Sequence, residues 1–183
     1  ASRRSIQNDN PNLFVRSDLH ARHPVPIVIL KDSSQKIPGN SRIFKSPHPP
    51  GELWVSGSSA PAITDMVNLD DILELTATER KNIERWKVYS YQSVRDIYDS
   101  LAQRKFRKIL LEGGPTLNGF FLKEDLIDEI FFTLEPYVWA GSTQDRIIST
   151  PEPISLKKFR LIRVERRSDE VFFRYKKIPA NGN

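Results

Sequence analysis

The stretch Lys108-Ile-Leu-Leu-Glu-Gly-Gly-Pro-Thr116 lines up the residue types of a phosphate site in the order such a site needs them. In open α/β sheets, ligands sit outside the carboxyl ends of strands, and the apolar run here is expected to end as a strand at Glu112. Gly113 and Gly114 let the backbone approach a ligand with no Cβ in the way. Pro115 suits a first helical position, where a missing N–H costs nothing. The free N–H groups of the turn that follows, with the helix dipole, attract an anion, and Thr116 adds a hydroxyl. An ordinary tight strand–helix turn would also use Gly-Gly, and for those two residues alone it is the better reading. Neither G-x-G-x-x-G nor a G-K-[ST] loop occurs here. Glu112 shifts the balance, because a carboxylate is costly to bury and more often faces a site than a core.

A second candidate is Asn8-Asp-Asn-Pro-Asn-Leu-Phe-Val-Arg16. By pattern it is a polar turn, with Asp9 in an Asx-turn, leading into an extended stretch. Arg16 could instead clamp a phosphate through two parallel N–H groups. Other chemistry finds little support. His20, His23 and His48 stand in Pro-rich sequence without metal-ligand spacing. Asp125, Asp128 and Glu129 read as a solvated helix end rather than a metal site. Trp54, Trp86 and Trp139 read as core, and Phe172, Phe173 and Tyr175 as packing residues. No G-x-S-x-G elbow occurs.

The frame that must hold these residues is expected to be one α/β domain spanning 1–183. The mix of 38% hydrophobic and 28% charged residues is that of a globular chain. With no cysteine there is no disulfide, thiol nucleophile or thiolate metal site, which fits a reducing, cytoplasmic setting. No apolar run reaches the roughly 20 residues that span a bilayer, and no signal peptide is seen. The net charge of +5 favours anionic partners. Because the basic residues form no block, small phosphorylated molecules explain the bias better than nucleic acid or a membrane.

Val25–Leu30 and Glu52–Ser56 read as buried strands, with Lys31–Gly51 between them a Pro-rich surface loop. Thr76–Trp86 looks like a short helix with Thr78 as N-cap, followed by a strand over Trp86–Ser90. Val94, Ile97, Tyr98, Leu101 and Ala102 then recur at helical spacing behind Ser93, with Asp96 completing a capping box. Arg107–Leu111 returns to strand, and Pro115–Leu122 is helical with Leu117, Phe120 and Phe121 inward. Glu129–Val138 is a long strand interrupted by Pro136. Phe159–Arg166 and Val171–Lys177 form a hairpin, with Leu161, Arg163 and Glu165 on one face and Ile162, Val164 and Arg166 on the other. The sum is a mixed, mostly parallel sheet with flanking helices and an antiparallel C-terminal hairpin.

Taken together, these segments resemble the reductase domain of bacterial and plant riboflavin biosynthesis, which has the dihydrofolate-reductase-like fold. Asp9-Asn-Pro-Asn-Leu-Phe-Val-Arg16 is similar to that family's D-[DN]-P-x-L-x-V-R. Leu111-Glu-Gly-Gly-Pro-Thr-Leu-Asn-Gly-Phe120, Leu126-Ile-Asp-Glu-Ile130 and Glu135-Pro-Tyr-Val-Trp-Ala-Gly141 match three further signatures in the same order. The resemblance implies NADPH-dependent reduction of 5-amino-6-(5-phosphoribosylamino)uracil to its ribityl derivative. It implies that Gly113, Gly114, Pro115, Thr116 and Leu117 hold the cofactor's phosphates. It places Ser5 and Asp9 at the nicotinamide half, and Ser33 as a further cofactor contact. It assigns Leu13, Arg16 and Glu112 to the phosphoribosyl-pyrimidine substrate. It implies no acid–base or nucleophilic triad and no metal, a homodimer built on the sheet's edge, and residence in the cytoplasm, or the plastid stroma for a plant chain.

The chain departs from the family in one respect. The family's first strand, with its T-x-D-G element, and the helix and strand after it have no counterpart before Ser2, and Ser5 replaces the usual Thr. The first residue is not Met, so the chain is expected to be cut from a longer protein, with an upstream deaminase domain in the bacterial arrangement. Three other readings compete: a non-catalytic relative serving binding or association, a reductase of a folate or pterin, and a basic nucleic-acid module.

Overall fold

In the computed structural model, residues 10, 24–30, 36–45, 51–57, 73–138 and 146–179 are described. The apolar, β-branched run Ile27–Leu30 forms β1, Glu52–Ser56 forms β3 and Lys87–Tyr91 forms β5. These three make a parallel sheet in the order β1-β3-β5, with Leu53 opposite both Val28 and Val88. Because side chains alternate along a strand, Val28, Leu30, Leu53, Val55 and Val88 share one face, and all five belong to the buried core. Trp54 and Tyr89 lie on the opposite face, their rings stacked 4.7 Å apart.

The Pro-rich stretch 31–51 is more than a surface loop. It contributes a short strand, β2 at Ile37–Pro38, and a 3₁₀ turn at Arg42–Lys45. Ile37, Ile43 and Phe44 are buried against the core face, with the Phe44 ring edge-on to Trp86 at 5.1 Å. A sheet face this apolar must be covered by something, and these three side chains supply part of the cover. β2 pairs in parallel with β4, Leu73–Glu74.

Helix α1 spans Ala77–Ile83, and its N-cap is Thr76 rather than Thr78. The Thr76 N–H donates to Glu79 Oε2 at 2.8 Å while the Glu79 N–H donates back to Thr76 Oγ1, a reciprocal capping box. The box requires a spacing of three to a Glu or Gln, which Thr76 has and Thr78 lacks. Helix α2, Val94–Gln103, follows its sequence signals closely, with Ser93 as cap, Asp96 closing the box, and Val94, Ile97 and Leu101 buried.

At the C-cap of α2, Arg104 reaches Glu52, the first residue of β3, through both carboxylate oxygens, one pair at 3.0 Å. Trp54 Nε1 donates to the same carboxylate at 3.1 Å. The guanidinium also lies over the Trp54, Tyr89 and Phe106 rings, 5.3–6.0 Å from their centroids. Glu52 is only 5% exposed, and Arg104 is its cationic partner.

Contacts divide the chain into Ala1–Gly114 and Pro115–Asn183. The second unit holds helix α3, Pro115–Lys123, and a three-stranded antiparallel sheet of β6 (Glu129–Leu134), β8 (Glu170–Lys177) and β7 (Phe159–Arg167), in the order β6-β8-β7. β6 stops two residues before Pro136, which has no N–H to give to a ladder. The β7–β8 hairpin turns on Ser168 and Asp169, with Ser168 at φ 52°. A bulge between Leu161 and Arg163 rephases the expected alternation. Leu161 and Val164 now oppose Tyr175 and Phe173 on one face, where strict alternation separates them. The sequence also predicts a covered face here, yet Leu161, Ile162 and Val164 are all exposed.

Asp125, in the turn after α3, takes Lys177 Nζ at 2.6 Å and Lys157 Nζ at 3.2 Å. These contacts, Lys177 foremost, hold its carboxyl below the ordinary value of 3.8.

Two outcomes are expected. Arg104→Ala strands the Glu52 carboxylate and should cost about 3 kcal/mol, read from urea unfolding at neutral pH. A depressed carboxyl contributes stability above its ordinary value, and that contribution is lost as pH falls through the folded value. The Asp125 resonance should therefore titrate below 3.8 by NMR and move back up in Lys177→Ala.

Candidate functional site

Helix α2 is closed by Lys105 at φ 64°, with the Phe106 N–H donating to Leu101 O at 3.0 Å. From there the chain runs through 106–114 outside any helix or strand. The strand expected at Arg107–Leu111 is therefore not formed, and Ile109 and Leu110 are 41% and 78% exposed. Composition alone makes a run of Ile and Leu strand-like, but a strand exists only with a ladder partner, and among the described residues this run has none.

The turn itself is realised. Gly113 has φ 72° and Gly114 φ 98°, two successive residues in the left-handed region that L side chains avoid. Gly113 is buried and Glu112 before it is exposed. Pro115 then opens α3, its ring fixing the helical φ. Pro115 and Thr116 are exposed, so the Thr116 hydroxyl is presented outward, whereas Leu117 is buried. Leu117 can thus offer a ligand only its backbone. The first N–H groups of an α-helix have no partner within the helix, so the amides at the start of α3 form a group of donors on the positive end of its dipole.

Residues absent from the sequence reading also belong to this element. Gly119 sits inside α3, where glycine costs roughly 0.5–1 kcal/mol relative to alanine. A Cβ there would overlap the carbonyl oxygen of Ser149. The Ser149 N–H donates to Pro115 O at 2.9 Å, and Asn118 Nδ2 donates to Ile147 O at 3.0 Å. A glycine inside a helical pattern was the available signal.

Ser5, Asp9, Leu13, Arg16 and Ser33 lie outside the described residues, as do His20, His23, His48 and Trp139. Of the Asp9–Arg16 motif, Asn10 is described. It adopts φ 43°, and its Oδ1 accepts the Arg42 N–H at 2.7 Å, at the first residue of the 3₁₀ turn. In the first unit, a cleft of about 550 Å³ is lined by Pro38, Gly39, Leu75, Thr76 and Glu79 among others. None of the described sequence-predicted site residues lines it, and Thr76 and Glu79 are occupied in capping each other.

Comparison with known proteins points one way. A family model described as the RibD C-terminal domain matches residues 1–173. A riboflavin biosynthesis protein RibD of Chlamydia pneumoniae is 25% identical over 168 residues, covering 87% of this chain and 42% of that protein. The chain thus spans less than half the length of such curated relatives. The solved structure of Acinetobacter baumannii RibD superposes with a TM-score of 0.67 at 18% identity, covering 97% of this chain and 46% of the other. A Thermotoga maritima protein described as a diaminohydroxyphosphoribosylaminopyrimidine deaminase and 5-amino-6-(5-phosphoribosylamino)uracil reductase gives 0.60 at 17%, covering 97% of this chain and 44% of its own. At those identities the structural likeness is one of fold.

The backbone at the turn yields a direct test. Gly113→Ala and Gly114→Ala should each lose about 1–2 kcal/mol from a forced left-handed Cβ, measured by urea unfolding, while Thr116→Ala, at an exposed position, should leave stability within experimental error.

Proposed function

Because the chain belongs to the RibD C-terminal domain family, we propose that it is a riboflavin-biosynthesis reductase that converts 5-amino-6-(5-phosphoribosylamino)uracil to its ribityl form with NADPH. The observation that carries this reading is the pair of left-handed glycines, Gly113 and Gly114, set directly before a helix opened by Pro115, within Glu112-Gly-Gly-Pro-Thr116. That backbone fits a dinucleotide phosphate: two residues without Cβ, then the amides of Thr116 and Leu117, which have no partner within the helix, then an exposed hydroxyl on Thr116.

On this reading Gly113, Gly114, Thr116 and Leu117 hold the phosphates, chiefly through backbone N–H groups. Pro115 supplies no donor and serves to fix the first helical turn. Ser5 and Asp9 hold the nicotinamide half, with Ser33 a further cofactor contact. Glu112 hydrogen-bonds the substrate sugar, while Leu13 and Arg16 seat the substrate near its phosphate, Arg16 as a bidentate donor. NADPH, when bound, supplies the hydride for the ribose C1′. The chain's own residues contribute position: they fix where the acceptor carbon stands and how it is turned, which accounts for a large part of the barrier in such reactions. The relatives' additional length agrees with a second activity elsewhere in their chains, and the name of the Thermotoga protein includes a deaminase beside the reductase.

Fluorescence titration with NADPH tests the reading directly: saturable binding is expected, and its absence in the full-length protein ends the enzyme interpretation. Arg16→Ala should raise the KM for the phosphoribosyl substrate by roughly 10–100-fold, the worth of a charge-assisted hydrogen bond, with the NADPH dissociation constant unchanged. Turnover of dihydrofolate in preference to the phosphoribosyl uracil would reassign the substrate to the folate class.

A further inference from the structure

Among the described residues, the first five of α3 receive three contacts from one short segment, Ile147–Thr150. The Ser149 N–H shares the Pro115 carbonyl, Asn118 Nδ2 holds the Ile147 carbonyl, and the Gly119 Cα faces the Ser149 backbone where any Cβ would strike it. A Cβ at Gly119 would also come within 2.8 Å of Thr150 Cγ2. Two of the three contacts are hydrogen bonds at good length, one between backbones and one from a side chain to a backbone. The third is a steric fit that glycine alone allows.

The segment is neither helix nor strand. It touches α3 at its N-terminal end, where the first amides have no partner within the helix. Pro115 cannot anchor that end by its own N–H, because it has none. Its carbonyl is the group of the turn that Ser149 grips.

We infer that Ile147–Thr150 is a brace that sets the orientation of the anion-holding turn, and that Gly119 and Asn118 are positioning residues for the dinucleotide. This rests on the NADPH reading given above. A helix with its first turn held by a second piece of chain keeps its amides aimed at one point. Without the brace the first turn is free to fray, as helix ends do, and amides that must first be ordered bind a phosphate less tightly. The brace also accounts for a glycine at a helix position where alanine would be the better helix former.

The test uses the full-length protein with NADPH as the probe, in wild type, Gly119→Ala and Asn118→Leu. Gly119→Ala should raise the NADPH dissociation constant by about tenfold or more and the KM for NADPH in step, with kcat at saturating NADPH and the KM of the second substrate near wild type. Asn118→Leu keeps the volume and loses the donor, so a smaller rise, about three- to fivefold, is expected from one neutral hydrogen bond. Asn118→Gln, which keeps an amide donor, should recover part of it. A merely structural role would lower the melting temperature and the active fraction while the folded fraction kept its NADPH affinity. If wild type binds NADPH and both Gly119→Ala and Asn118→Leu bind it equally well, the brace has no positioning role and the inference is overturned while the functional reading stands. If Gly119→Ala fails to fold, Asn118→Leu carries the same decision. If wild type itself shows no binding, the functional reading fails, and the brace as a cofactor device fails with it.

Discussion

Two consecutive residues at positive φ are a severe demand on an L-polypeptide. Each side chain placed there meets the neighbouring carbonyl, and only glycine adopts the conformation freely. At Gly113 and Gly114 the chain meets that demand twice and then passes at once to Pro115, whose ring allows little but a helical φ. Freedom at the two glycines, followed directly by restriction at Pro115, favours a helix that opens there. The start of α3 is therefore fixed by local sterics before any tertiary contact acts on it. Ile147–Thr150 then adds the long-range half of the same constraint, joining residues about thirty positions apart on one helical turn.

A buried ion pair among the described residues lies elsewhere, and its position explains its role. Glu52, Arg104 and Trp54 form a hydrogen-bonded cluster roofed by aromatic rings, and hydrogen bonding to Glu52 raises the Arg104 pKa further above its already high value. Perturbed ionisable groups often mark functional sites. Here, however, Glu52 is the first residue of β3, at the amino end of the parallel strands, whereas ligands in such sheets gather at the carboxyl end. The carboxylate, moreover, spends both its oxygens on protein donors. The cluster is a fastening between the end of α2 and the amino end of the central strand β3, and its cost of desolvation is offset by bidentate geometry.

How much of this was legible in the sequence depended on the range of the interaction. Strands β1, β3 and β5 and helix α2 could be read closely because their signals are local: β-branched runs, a period near 3.6, a Ser-x-x-Asp box. The cap of α1 falls at Thr76, two residues before Thr78, because only Thr76 has Glu79 at the spacing that closes the box. Non-local features escaped. That Ile37, Ile43 and Phe44 leave a Pro-rich loop to cover the sheet depends on which face lies bare, and that is a property of the assembled strands. Arg107–Leu111 has strand composition but no strand partner among the described residues, and the bulge at Leu161/Arg163 leaves no residue-type signature. At the site, Glu112–Leu117 was readable as a motif, whereas the brace was announced only by a glycine in a helix interior.

This division has a chemical logic. If the reaction is hydride transfer, the reacting atoms belong to cofactor and substrate, and what the protein must control is distance and angle. Control of that kind is exercised by backbone: by residues whose value lies in what they lack, such as the Cβ of Gly113, Gly114 and Gly119 or the N–H of Pro115. Side-chain chemistry is then needed mainly at the substrate end, where a carboxylate and an arginine suffice for a phosphorylated sugar. Such a site carries few titrating groups of its own, so its performance should follow the stiffness of the turn at α3 more closely than the protonation of any one residue. The fold answers that requirement by securing the turn twice, once through glycine and proline in sequence and once through Ser149 and Asn118 in space.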